Sequence, residues 1–149
     1  MATLHKDFHG AMSYGIQYLY EKYGERELVE YLKQLAHTVY SPLIEALKTK
    51  GLPALEEHWD YIFTIENADF EIGYEENDIL FLKVKKCPAI HHMQENNYQV
   101  ADKYCQHCQI INEEICHSAG YESSLEYDQD KGSCMQEFWE KNNNKVRER

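Results

Sequence analysis

Residues 68–87 read ADFEIGYEENDILFLKVKKC, and this stretch decides the fold. Phe70, Ile72 and Tyr74 alternate with acidic or small residues, EEND supplies a polar turn, and Leu80, Leu82 and Val84 alternate again. A period of two on both sides of a turn predicts a β-hairpin over about residues 69–86. Cys87-Pro88 closes its second strand, because proline has no N–H to give to a ladder.

Upstream the period changes. Phe8, Met12, Ile16, Leu19 and Tyr23 recur at helical spacing, and Gly24 punctuates the run. Leu28, Leu32, Leu35, Ala36 and Val39 mark a second helix; Ser41-Pro42 and Pro53 open two more. Downstream, about residues 95–119 lack Gly and Pro and carry an apolar stripe, which predicts one long helix stopped by Gly120. SSLEYD, the turn QDKG and SCMQEFW predict a second hairpin over about 122–139. The expected architecture is therefore α+β: a helical N-terminal half over about residues 3–66, then an antiparallel sheet of two hairpins with a long helix between them. Residues 1–139 form a single domain in this reading, and 140–149, EKNNNKVRER, a basic flexible tail.

The chain has 149 residues and a net charge of −11. Nine acids against three bases in 52–92, and nine against two in 93–139, leave no basic face for a phosphate backbone, so nucleic acid is not an expected partner. MATLHKDFHG lacks the apolar core of a secretory signal, and no apolar run has membrane-spanning length. The expectation is a cytoplasmic protein that takes a small-molecule substrate or ligand, touches no membrane, and has homo-oligomerisation open to it. Five cysteines, without an export signal, are expected as reduced thiols rather than a disulfide frame.

Those thiols carry the functional candidates. Cys105, Cys108, Asn112 and Cys116 fall at spacings of three, four and four, one edge of the long helix's apolar stripe. Cysteines on such a face pack as small core residues, but a buried Asn needs polar partners. C-x-x-C redox chemistry works at a helix N-terminus, and Cys105 and Cys108 are expected mid-helix. His107 and His117 fall on the polar side of the wheel. KKCPAIHHM, residues 85–93, places Cys87 beside Lys85 and Lys86, which would lower a thiol pKa, with His91 and His92 as candidate bases or ligands. Cys134 opens the last strand and shares a face with Gln136 and Phe138. The tyrosines of the first helix either pack or wall a pocket.

VKKCP (84–88), YCQHCQIINEEIC (104–116) and EYDQDKGSCMQEF (126–138) together resemble the L-2-amino-thiazoline-4-carboxylic acid hydrolase family. The hairpin-plus-helix arrangement also resembles ligand-binding domains of the 4-vinyl reductase type. The first resemblance implies hydrolysis of a C–N bond in a small cyclic amidine. Three readings follow. In the first, Cys87 attacks the amidine carbon, His91 or His92 moves the proton, and Cys105, Cys108, Asn112, Cys134 and Gln136 line the substrate site, Asn112 donating to the developing charge. In the second, Cys105, Cys108, Cys134 and either Cys87 or His91 hold a metal in a sensor or binding module. In the third the cysteines only pack in an interaction or ligand-binding domain. No cofactor is specified beyond that Cys/His-bound metal.

Overall fold

The hairpin forms where the alternation places it. In the computed structural model, which describes residues 5–147, β1 (Asp69–Glu75) and β2 (Ile79–Lys86) pair antiparallel. Asn77 and Asp78 turn the chain with φ of +68° and +59°, a backbone region these two residue types tolerate. β3 (Tyr121–Asp128) and β4 (Ser133–Glu140) form the second hairpin. The two hairpins join through β2 and β4, giving the order β1-β2-β4-β3. Leu80, Leu82 and Val84 face Phe138, Gln136 and Cys134 across that seam.

One face of the sheet packs under helices. These are α1 (Asp7–Tyr23), α2 (Glu25–Val39), α3 (Ser41–Lys50), α4 (Leu52–Ile65), α5 (Pro88–Glu95) and α6 (Tyr104–Ala119). Leu80, Leu82, Val84 and Phe138 are fully buried against Leu28, Leu32, Leu47, Leu55 and Ile115 in one core. Each such side chain contributes roughly 1.5–3 kcal/mol by leaving water. The α+β class and the helical N-terminal half are as expected. On α1 the expected stripe holds at its centre, with Ile16 buried and Met12 and Leu19 packed against the core; Ser13 is buried beside it, and the two ends, Phe8 and Tyr23, are half exposed.

Two expectations are corrected. The long helix over 95–119 is two helices. α5 begins one residue after Cys87, with Pro88 at its first turn, and ends in a Schellman motif. Asn97 takes φ +59°, its N–H reaches Gln94 O, and Tyr98 N–H reaches Met93 O at 2.8 Å. The intervening residues are anchored by side chains rather than by helix bonds. Ser13 Oγ accepts from Ala101 N–H at 2.8 Å and donates to Gln99 O, and Gln17 Oε1 accepts from Asp102 N–H. Gln129, from the β3–β4 turn, then starts α6: its Oε1 accepts from Cys105 N–H and its Nε2 donates to Ala101 O.

The C-terminal segment is likewise not a free tail as far as residue 147. Glu140 still pairs with Tyr121, Lys141 N–H donates to Gly120 O, and Asn143 Nδ2 donates to Asn77 O at 2.7 Å. A short α7 (Asn144–Arg147) follows. The remainder of the expected tail, 148–149, and the start of the first expected helix, 3–4, lie outside the described residues.

Candidate functional site

Four cysteines from three parts of the chain meet around one cavity. Cys87 stands at the exit of β2, Cys105 and Cys108 on successive turns of α6, and Cys134 on β4. Phe63, Val84, Ile90, Leu125 and Tyr127 make much of the remaining wall, and the cavity holds about 50 Å³. That is room for one or two waters or for the reacting end of a larger molecule. Convergence follows from topology: the β2–β4 seam sets Val84 opposite Cys134, and α6 lies over it.

Gly132 brings the second hairpin up to Cys87. It accepts a hydrogen bond from Cys87 N–H at 2.7 Å and holds φ +67°. A Cβ there would stand 3.0 Å from Ile90 Cγ2 and 3.1 Å from the His91 ring. Only glycine permits both the backbone and the approach.

Burial sets the protonation of these thiols. Desolvation pushes Cys87 and Cys108 up to about 11, and Cys105 and Cys134 up to about 12. The Ala89 and Ile90 amides at the start of α5 act in the opposite direction on Cys87 but are outweighed. The lysine effect expected on Cys87 does not operate: Lys85 turns outward to Glu71 Oε1 at 2.9 Å. All four cavity thiols are protonated at neutral pH.

The histidines of KKCPAIHHM do not join Cys87. They lie on α5, not in a loop, and face an outer cleft of about 460 Å³ with Lys6, Asp69, Lys86 and Glu95. His91 Nε2 bonds Lys131 O, and His92 Nε2 bonds Asp7 Oδ1 at 2.9 Å. Asn112 and Gln136 are both buried and divide the role given to Asn112. Asn112 Nδ2 donates to Gln136 Oε1 at 2.8 Å, and Gln136, which lines the cavity, donates from Nε2 to Cys134 Sγ at 3.4 Å. Gln136 thus presents the amide donor, and Asn112 orients it. Cys116 lies outside the cavity and packs toward Ser123 of β3.

Other imidazoles contact residues of the cavity wall instead. His107, expected in solvent, is half-buried because α2, α3 and β3 all pack on α6, which leaves it little open face. Its Nδ1 donates to Tyr104 O, which leaves Nε2 as the lone-pair nitrogen, 3.9 Å from Cys108 Sγ. Burial holds this ring's pKa below the ordinary value, so it stays neutral. His9 is more remote in sequence. Its Nε2 bonds Glu66 Oε1, and its Nδ1 lies 3.4 Å from Tyr104 Oη, in the cavity wall. The side chains of His9 and Glu66 are only 12% and 7% exposed. Sequence reading assigned no functional role to Glu66, Tyr104 or His9. The one available signal was an acid, Glu66, between apolar elements and buried on folding.

Among the described residues, no group of three or more His, Cys, Asp or Glu side chains is placed to hold a metal ion. The thiols share a cavity without forming a ligand set. No helix among the described residues is long and apolar enough to cross a membrane. On α1, Tyr14 and Tyr18 wall a separate groove with Tyr98 and Asp7. Compared with known proteins, the chain matches no protein-family model, and no curated protein matches it.

Proposed function

We propose that the thiol-lined cavity is the reaction site of a hydrolase that opens a C–N bond in a small cyclic amidine, such as an amino-thiazoline carboxylate. The observation that carries the reading is the meeting of Cys87, Cys105, Cys108, Cys134 and the Gln136 amide around one cavity at the start of α5. Cys87 is the nucleophile. Its sulfur adds to the amidine carbon; the ring C–N bond breaks and the nitrogen leaves as an amine with a proton. Water then adds to that carbon and expels the sulfur, leaving a carbonyl and restoring the thiol.

A thiol raised to about 11 is a resting nucleophile. An amidinium brings a positive charge into a low-dielectric space, and a nearby cation favours the thiolate. Activation would therefore accompany binding. The Ala89 and Ile90 amides and Gln136 Nε2 supply donors for the charge that develops. At about 50 Å³ the cavity admits the amidine end, and the rest of the ring requires the wall at Leu125 and Tyr127 to give way.

The test is hydrolysis of 2-amino-2-thiazoline-4-carboxylate, followed by mass spectrometry of the ring-opened product. Wild-type protein and Cys116→Ala, which alters a thiol outside the cavity, should turn over, while Cys87→Ala should not, with its circular dichroism unchanged. Turnover by Cys87→Ala, or none by wild type across a series of cyclic amidines, rejects the proposal.

A second reading is favoured by one observation, the protonated thiols in a mainly apolar wall: a pocket that binds a small ligand without turning it over. It predicts a thermal shift with the same amidines and no product.

A further inference from the structure

We infer that Glu66, His9 and Tyr104 form a proton relay that serves Cys87. This deepens the hydrolase proposal, whose nucleophile otherwise has no base. The three residues come from the α4–β1 connection, α1 and α6, and they are joined end to end: carboxylate to imidazole, imidazole to phenol. That is the order of a carboxylate–imidazole–hydroxyl triad. The residue at its hydroxyl end, Tyr104, is one of those that line the thiol cavity.

The geometry fixes the direction of transfer. Glu66 accepts from His9 Nε2–H, so Nδ1 of the neutral ring carries the lone pair, and Tyr104 O–H donates to it. As Cys87 attacks, its S–H proton passes to Tyr104 Oη while the tyrosine's own proton passes to His9 Nδ1. The sulfur's electron pair forms the new bond, and the imidazolium left behind is paired with Glu66. When the ring C–N bond breaks, the proton returns along the same path to the leaving nitrogen. No tyrosinate forms, as it must not: burial and the neighbouring thiols hold the Tyr104 pKa well above its ordinary value.

Cys87 is the thiol this relay fits. Cys108 already has an imidazole, His107 Nε2 at 3.9 Å. Cys87 has no imidazole bonded to its sulfur among the described contacts; it lines the same cavity as Tyr104, it acts electrostatically on Tyr104, and Glu66 acts on both. Among the described residues, the ionisable groups that face the relay are Tyr40, His107, Cys87, Cys105 and Cys108. None of these is a lysine or arginine, and burial holds His107 neutral, so the positive charge that pairs with Glu66 in the relay is that of His9.

The test needs no substrate. Iodoacetamide alkylates Cys87 with loss of iodide, and peptide mass spectrometry gives the rate at each cysteine as a function of pH. A thiol that must ionise unaided loses tenfold in rate per pH unit below its pKa. With the relay, the Cys87 rate levels to a plateau between the imidazole range and the thiol pKa. Tyr104→Phe keeps the ring and removes the shuttle. It should lower the Cys87 rate at pH 7.5 by at least tenfold, remove the plateau, and converge with wild type near pH 10. His9→Gln should do the same and stands in if Tyr104→Phe fails to fold. A wild-type rate that falls tenfold per unit with no plateau, or variants that superimpose on wild type or react faster, overturns the relay. The hydrolase proposal fails separately, on absence of amidine turnover in a protein that still shows the plateau.

Discussion

Nine consecutive residues, KKCPAIHHM, serve two environments that differ in nearly every physical respect. Cys87 faces inward to a cavity of about 50 Å³ walled by thiols, aromatic rings and aliphatic groups. His91 and His92 face outward to a cleft of about 460 Å³ lined by charges. Pro88 starts a helix between them, and four or five helical steps carry the imidazoles away from the sulfur. Closeness in sequence is therefore no guide to partnership here. The imidazoles that do approach the thiol cavity, His9 and His107, come from elsewhere in the chain.

The largest way to break this contrast is alkali. Folded Cys87, Cys105, Cys108, Cys116 and Cys134 have pKa values of about 11 to 12, against an ordinary value of 9.0. Between those values the unfolded chain releases protons that the folded chain keeps. The stability they contribute is complete below pH 9 and is lost as pH rises towards 11–12. Urea unfolding at stepped pH should show a steep loss above pH 9, and Cys105→Ala with Cys134→Ala should shallow it. At the other limit, burial depresses His58 and His107, so stability that is full above about pH 6.5 falls as pH drops below it. A flat profile from pH 8 to 11 would mean that the cavity is wet.

Gly132→Ala tests the contact between the two environments. It adds a Cβ 3.0 Å from Ile90 at a positive φ and should cost about 1–3 kcal/mol in urea unfolding. It should also raise alkylation at Cys87, whose N–H is held by Gly132 O. Asn112→Leu removes the donor to Gln136 Oε1 and leaves that buried acceptor unpaired, for about 1–3 kcal/mol. Faster alkylation of Cys134, the next group along, is the accompanying sign. The smallest effect belongs to the outer cleft. His91→Gln and His92→Gln should leave the urea midpoint and the Cys87 alkylation profile where they are, and a tenfold drop in that profile would return the two histidines to the thiol's side.

The sheet was legible because its signal is local. Leu80, Leu82 and Val84 alternate whatever they pack against, and burial of that face needs no knowledge of the partner strand. The α5–α6 break was not, since a run without Gly or Pro looks continuous until Asn97 takes a left-handed conformation and Ser13 binds Ala101 from another helix. The cysteine stripe of α6 showed which thiols share an edge, and two of them do line the cavity. It could not show that Asn112 spends its amide on Gln136, or that Glu66 meets His9, because each pairing is made by distant segments packing together.

The β2–β4 seam has a consequence for the order of events in folding. Each hairpin closes over a short turn, on the microsecond scale of such elements. Val84 meets Cys134 only after two helices and the whole second hairpin have been placed. That closure is long-range and correspondingly slow. The cavity therefore comes into being at the last step of assembly, and during refolding the five thiols stay open to reagent until the sheet is complete. Thiol protection against time would report the birth of the site itself, separately from the earlier gain of helix.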